Sequence, residues 1–387
     1  MCDSLGIGAL PDAGEYGDEG SHTLCHVVAE TGVALPTLTG LGLGSTDGVE
    51  CLPEQPLQAA VGRVATLSAG KDTLAGHWEL MGHITSEPFP TYPHGFSSEL
   101  LDRLSAACGR GIIGNRPASG TQIIEELGPR QLKGGELIVY TSADSVLQIA
   151  AHEQVIPVEE LYECCRAARR LCTGKQAVAR IIARPFVGVP GRFARTERRR
   201  DFPLPPPERL LLDEMADAGI RICAIGKIGE IYAGRGITQY LHTADNSAGM
   251  QAISDAWKAG GCRLVFANLV DFDMLFGHRN DVAGYAAALG EFDTWLDGFL
   301  GTVGENDAVV VTADHGCDPS TPSTDHSREY VPFIIYGQRI RPTNLGTIAG
   351  LDFVGNVVAG LLGIEASARR AGAARLLKDG AAEGSRP

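Results

Sequence analysis

The stretch Ala308-Val309-Val310-Val311-Thr312-Ala313-Asp314-His315-Gly316 passes from an apolar run straight into an acid, an imidazole and a glycine. A short apolar run without polar alternation reads as a strand buried on both faces. Three other stretches repeat the pattern. Residues 264–270 lead into Asp271-Phe272-Asp273, residues 220–225 into Gly226-Lys227, and Leu137-Ile138-Val139-Tyr140 into Thr141-Ser142-Ala143-Asp144. Over residues 282–299, Ala283, Ala286, Ala287, Leu289, Phe292, Trp295 and Leu296 recur at near-helical spacing. Strands alternating with helices predict an α/β core with a mostly parallel sheet. Ligands of such sheets sit beyond the carboxyl ends of the strands, so the acids and imidazoles placed there are site candidates.

The chain has 387 residues, which at roughly 150 residues per domain suggests two or three domains. A second composition regime opens at Pro88, Pro90 and Pro93 and closes at Pro203, Pro205, Pro206 and Pro207. Proline-rich stretches make stiff connections, so residues 90–206 are expected to form an inserted, smaller α+β domain. The core is then 1–89 and 207–365. The small, polar tail 366–387 is expected to be flexible.

Lys+Arg 33 against Asp+Glu 47 gives a net charge of −14, which excludes a general affinity for nucleic acid. No apolar run approaches the roughly 20 residues of a membrane helix, and no basic-then-apolar leader opens the chain. A cytoplasmic protein with no membrane partner and no obligatory protein partner is expected. The ten cysteines include no C-x-x-C pair, so reduced, mostly buried thiols are expected and not a disulfide framework.

Three segments share metal-ligand chemistry: Asp273 with His278 five residues on, Asp314-His315 with His326 eleven residues on, and Asp3 near the start. Carboxylates mixed with imidazoles suit Mn²⁺, Zn²⁺ or Fe, whereas Mg²⁺ and Ca²⁺ prefer all-oxygen sites. Six such ligands would hold two ions, and one further anion would neutralise their charge against three carboxylates. Paired metals stabilise both oxygens of an in-line phosphoryl displacement.

The most unusual stretch is Ser68-Ala69-Gly70-Lys71-Asp72-Thr73-Leu74-Ala75-Gly76-His77-Trp78-Glu79. Gly70-Lys71 invites a P-loop reading, which fails because Asp72 replaces the required Ser or Thr and Ala65 the first glycine. The alternative makes Thr73 a nucleophile. Its hydroxyl needs activation by metal, so that reading depends on the metal cluster. His77 and Glu79 orient the Thr73 loop or are structural.

Taken together, these residues resemble the phosphopentomutases of the alkaline phosphatase superfamily. The matching segments are Asp3-Ser4-Leu5-Gly6-Ile7-Gly8, Gly70 through Glu79, Ile113-Gly114-Asn115-Arg116-Pro117-Ala118-Ser119-Gly120-Thr121, Tyr140 through Gln148, Phe193-Ala194-Arg195-Thr196, Arg200-Asp201-Phe202, Gly226-Lys227-Ile228-Gly229, Asn268 through Asp273, and Thr312 through Asp318. The resemblance implies an alkaline-phosphatase-like core with a cap domain, here 90–206. It implies interconversion of ribose 1-phosphate and ribose 5-phosphate, and of the deoxy pair, through a phosphothreonine and two Mn²⁺ ions. A sugar bisphosphate is the implied activator. Asp3, Asp314 and His315 resemble the ligands of one ion, Asp273, His278 and His326 those of the other, and Thr73 the phosphate carrier. Asp144 resembles a sugar-contacting carboxylate, and Arg180, Arg195 and Lys227 are candidate phosphate clamps. Pentose phosphates are the implied partners.

One departure bears on the site. The family places an apolar strand before the first metal aspartate, whereas Met1-Cys2 precede Asp3 here. Asp3 is therefore expected to fray. The competing readings are a metal-dependent phosphohydrolase of the same superfamily and a catalytically impaired sugar-phosphate binder. A cofactor-independent phosphoglycerate mutase would use serine where Thr73 stands.

Overall fold

In a computed structural model, which describes residues 1–142, 144–364 and 376–377, the chain forms two compact units. One comprises Met1–Glu87 with the described residues from Pro206 onward; the other is Pro88–Pro205. The first unit begins with α1 (Thr23–Thr31), α2 (Pro36–Leu41), β1 (Ala60–Ala65) and α3 (Thr73–Leu80). The inserted unit holds α4 (Ser98–Cys108), β2 (Ile112–Pro117), α5 (Gly120–Gly134), β3 (Leu137–Thr141), β4 (Val146–His152), α6 (Val158–Leu171), β5 (Arg180–Val189), β6 (Arg192–Arg195) and β7 (Arg200–Pro203). The first unit resumes with α7 (Leu211–Asp217), β8 (Ile222–Ile225), α8 (Ile228–Ile231), β9 (Gln239–Leu241), α9 (Asn246–Ala259), β10 (Leu264–Ala267), α10 (Val282–Leu300), β11 (Val309–Thr312), β12 (Val331–Tyr336), β13 (Thr343–Ala349) and α11 (Asp352–Leu361).

The first unit carries two sheets, ordered β11-β12-β1-β13 and β10-β8-β9. The second is parallel throughout, and in the first β1 and β13 are parallel while β12 runs against both its neighbours. Met1–Asp3 lies between the two. Met1 N donates to Ala267 O at 2.8 Å, Leu269 N to Met1 O at 3.0 Å, and Cys2 N to Thr312 O at 3.0 Å. Cys2 also pairs in parallel with Leu269. The expected fraying of Asp3 is thus corrected: satisfied backbone groups on both sides hold Met1–Asp3 in place, and Cys2 is fully buried. Thr73, Lys227, Asp273 and Asp314 lie on the segments that follow β1, β8, β10 and β11.

In the inserted unit β4 pairs in parallel with β5, and β3 antiparallel with β4. Leu137 and Val139 face a core shared with α4 and α6, while Ile138 and Tyr140 face one shared with α5. A strand with apolar neighbours on both faces needs no polar alternation, which is why β3 reads as a continuous apolar run.

One further expectation changes. Cys25 and Cys51 form a disulfide with a Cα–Cα distance of 5.3 Å, although eight cysteines are free thiols. The 26-residue separation gave no local signal, and it is the packing of α1 against the loop before β1 that brings the pair together. The tail 366–387 lies outside the described residues except for Leu376 and Leu377, and Leu376 is buried, accepting a hydrogen bond from Arg341 N. Among the described residues no helix is long and apolar enough to cross a membrane.

Helix α3 lies hard against the end of β11. A Cβ on Gly76 would fall 2.3 Å from Asp314 O, a backbone atom that cannot move alone. Gly76→Ala is expected to destabilise the fold by about 1–3 kcal/mol through overpacking. Gly298, on the exposed side of α10, has nothing within 4 Å, so Gly298→Ala is expected to stabilise it by roughly 0.5–1 kcal/mol. Urea denaturation of the two variants checks the pair; equal midpoints would contradict the packing.

Candidate metal centre

The six candidate ligands come together in the first unit. Asp3, Asp314 and His315 bring ligand atoms within 4.8 Å of one another, as do Asp273, His315 and His326, and Asp273, His278 and Cys317. Asp273 follows β10 on a π-helical turn, Phe272–Phe276, a local widening common at functional sites. Its Oδ2 lies 3.4 Å from His278 Nε2 and its Oδ1 3.3 Å from His326 Nε2. His278 Nδ1 faces Thr324 O at 2.7 Å and His315 Nδ1 faces Gly316 O at 3.1 Å. A carbonyl accepts only, so both rings carry the proton on Nδ1 and turn Nε2 toward the carboxylates. Ser4, with φ of 67°, makes the left-handed turn that lets its N–H reach Asp314 Oδ1, a strained conformation of the kind found at sites.

The charges do not balance. Asp3 is fully buried and neither of its carboxylate oxygens has a hydrogen-bond partner. Burial, followed by Asp314 and Asp273, pushes its carboxyl well above the usual range. Burial also works against ionised Asp314, but His315 and His77 outweigh it and hold that group well below its usual range. His315 is lifted to about 10, Asp314 overcoming the effect of burial, while burial and His315 together lower His326. One imidazolium against ionised Asp273 and Asp314 still leaves an excess of negative charge, with the Asp3 carboxyl buried beside them. Orphaned carboxylate oxygens beside inward-turned imidazoles suit divalent metal ions.

Thr73 opens α3, and its Oγ1 is 3.2 Å from His315 Nε2. The loop before it is clamped. Buried Arg328 donates through Nη1 to Ser68 O and Gly70 O, and its other nitrogens bind Asp12. Tyr16 donates to Ala69 O at 2.6 Å beneath the Arg328 guanidinium. Lys71 Nζ sits 3.0 Å from Asp18 and 3.3 Å from Asp325, the residue before His326. Glu79 is structural: its fully buried carboxylate accepts from Thr66 Oγ1 and from the N–H groups of Leu67, Ser68 and Leu351.

Sequence reasoning missed Arg328, Tyr16 and the lysine's partners. The signal for Arg328 was a basic residue three positions before the apolar strand β12, a place where a charge needs a partner. Lys227 stands just beyond β8, and its charge acts on Asp3. The other three candidates belong to the inserted unit. Asp144 Oδ2 is 3.4 Å from Ser142 Oγ, Arg180 opens β5, and Arg195 pairs with Phe186 further along it. Arg195 and Tyr140 Oη both approach Gly120 at the start of α5. Arg184, not anticipated, is lowered to about 10 by burial, then by Arg199 and Arg195.

A profile of the metalloenzyme superfamily matches residues 1–366. The chain is 52% identical over 348 residues to the phosphopentomutase of Caldanaerobacter subterraneus subsp. tengcongensis, covering 89% of this chain and 88% of that protein. It is 50% identical over 370 residues to that of Acetivibrio thermocellus, covering 95% of each. A Leishmania mexicana phosphoglycerate mutase structure is similar at 16% identity and a TM-score of 0.49, covering 95% of each chain. On the strength of identity near one half over nearly its whole length, this chain belongs to the phosphopentomutase family, within the metalloenzyme superfamily of alkaline-phosphatase-like folds.

Proposed function

We propose that this enzyme interconverts (deoxy)ribose 1-phosphate and (deoxy)ribose 5-phosphate with Thr73 as the phosphate carrier. The observation that carries the reading is the Thr73 hydroxyl 3.2 Å from His315 Nε2, beside the acid–imidazole groups. Asp3, Asp314 and His315 would hold one ion and Asp273, His278 and His326 the other, with Mn²⁺ the proposed metal. When bound, the ions supply Lewis-acid stabilisation of the charge that develops on the transferring phosphoryl group.

Phospho-Thr73 gives its phosphoryl group to the free hydroxyl of the sugar monophosphate, and the proton lost by that hydroxyl ends on the Thr73 oxygen. The resulting bisphosphate returns its other phosphate to Thr73. Asp72 takes the N–H groups of Leu74 and Ala75, so these donors do not reach the phosphate. The clamp of Arg328, Tyr16 and Lys71 fixes the loop, so that Thr73 presents its oxygen in the same place in both half-reactions. Water must be kept out while Thr73 is phosphorylated, since hydrolysis would make the enzyme a phosphatase. For that role we propose the inserted unit as a cap, with Asp144 binding the sugar and Arg180, Arg195 and Lys227 binding phosphate. A sugar bisphosphate would prime Thr73. A cytoplasmic location is proposed with this metabolic role.

Thr73→Ala is expected to abolish turnover in a coupled assay of ribose 1-phosphate with Mn²⁺, and mass spectrometry should find phosphate on Thr73 of the wild type alone. Mutase activity retained in the variant would remove the assignment. Chelation should lower both activity and melting temperature, with Mn²⁺ restoring them. An ion at 100 times its Kd stabilises by about 2.7 kcal/mol, so a melting temperature indifferent to chelator would show that the cluster holds no ion.

A further inference from the structure

His77 is fully buried on α3, one turn beyond Thr73. Its Nδ1 lies 3.0 Å from Asp314 Oδ2 and 2.9 Å from Thr73 O. Thr73 O accepts from the ring, so Nδ1 carries the proton, and the same nitrogen stands in contact with Asp314 Oδ2, which has no hydrogen-bond partner of its own. On the far side of the ring, Nε2 is 3.0 Å from Asn268 Nδ2, an amide donor, and Tyr232 Oη donates to His77 O. Asn268 is itself buried and stands directly after β10. Three elements therefore meet in one relay, in which Asn268 after β10 fixes the imidazole of α3 and the imidazole fixes the carboxylate after β11.

We infer that His77, held by Asn268, is a positioning residue that aims Asp314 at its metal ion and ties that carboxylate to the backbone of Thr73. The inference rests on the reading of Asp314 as a ligand. Partners that orient metal-binding side chains typically carry 10–100-fold in metal affinity. Asn268 contributes only through the ring, so its loss and the loss of His77 should not add.

The test is Mn²⁺ binding to the full chain by titration calorimetry, without substrate, with circular dichroism confirming that each variant is folded. His77→Leu is expected to weaken Mn²⁺ binding 10–100-fold. His77→Asn, whose amide nitrogen falls near the position of Nδ1, should recover most of the affinity. Asn268→Leu should weaken binding less than His77→Leu, and the double variant should bind no more weakly than His77→Leu alone. Affinity of His77→Leu within about twofold of wild type, or losses that add, would overturn the relay. If His77→Leu does not fold, Asn268→Leu and His77→Asn decide, since unchanged binding in the first and loss in the second overturn it equally. A wild type that binds Mn²⁺ but does not turn over pentose phosphate refutes the functional reading alone.

Discussion

Three aspartates confined to one small, dry volume set the problem that the first unit solves. Asp3, Asp273 and Asp314 are 0%, 3% and 2% exposed, and the Asp3 and Asp314 oxygens approach within 4.8 Å. At that separation two full charges repel by about 3–4 kcal/mol even with an effective dielectric of 20. Nothing local favours such an arrangement, and the fold must impose it. It does so by ending strands at the same edge and letting each one release an acid there. Met1–Asp3 is decisive, because it joins the two sheets edge to edge and brings the β10 and β11 ends close enough for their acids to share a site.

The loop before Thr73 is held by other means. Ser68, Ala69 and Gly70 are fixed through their carbonyl oxygens, to Arg328 and Tyr16, and the Glu79 carboxylate gathers the N–H groups of residues on either side of α3. These bonds involve none of the six candidate ligands. Loop geometry therefore persists whichever charges occupy the cluster, as the carrier role proposed for Thr73 requires. Gly76 supplies the remaining condition: only the absence of a side chain lets α3 approach the Asp314 backbone.

Much of this was legible in the sequence because strand ends announce themselves. An apolar run that breaks into Asp-His-Gly or Asp-Phe-Asp carries both the strand and the candidate site in one stretch, and the six candidate ligands and Thr73 do lie together. The long helix is a similar case; its spacing gave 282–299 and the structure gives Val282–Leu300. What stayed hidden depends on residues distant in the chain. The Cys25–Cys51 bond, the pairing of Arg328 with Asp12 and the seat of Met1–Asp3 are set by packing across the unit, and no local periodicity encodes them. His77 and Glu79 were ambiguous for the same reason. Each is a polar residue on a wholly buried helix, and only its partners reveal that one faces the site and the other the scaffold.

The distribution of charge refines what a net value of −14 excludes. That value argues against a polyanion spread over the surface, because such a ligand samples the whole field. A small phosphorylated sugar samples only a few ångströms of it. In the inserted unit Arg184, Arg195 and Arg199 lie close enough to depress the Arg184 guanidinium, while Tyr140 keeps a buried hydroxyl without a hydrogen-bond partner beside Arg195. Arginines crowded near one another gain from a nearby anion what they lose through mutual repulsion. An acidic protein can thus keep a local cluster of guanidinium groups, with Asp201 as its anion, on one unit and a cluster of buried acids on the other.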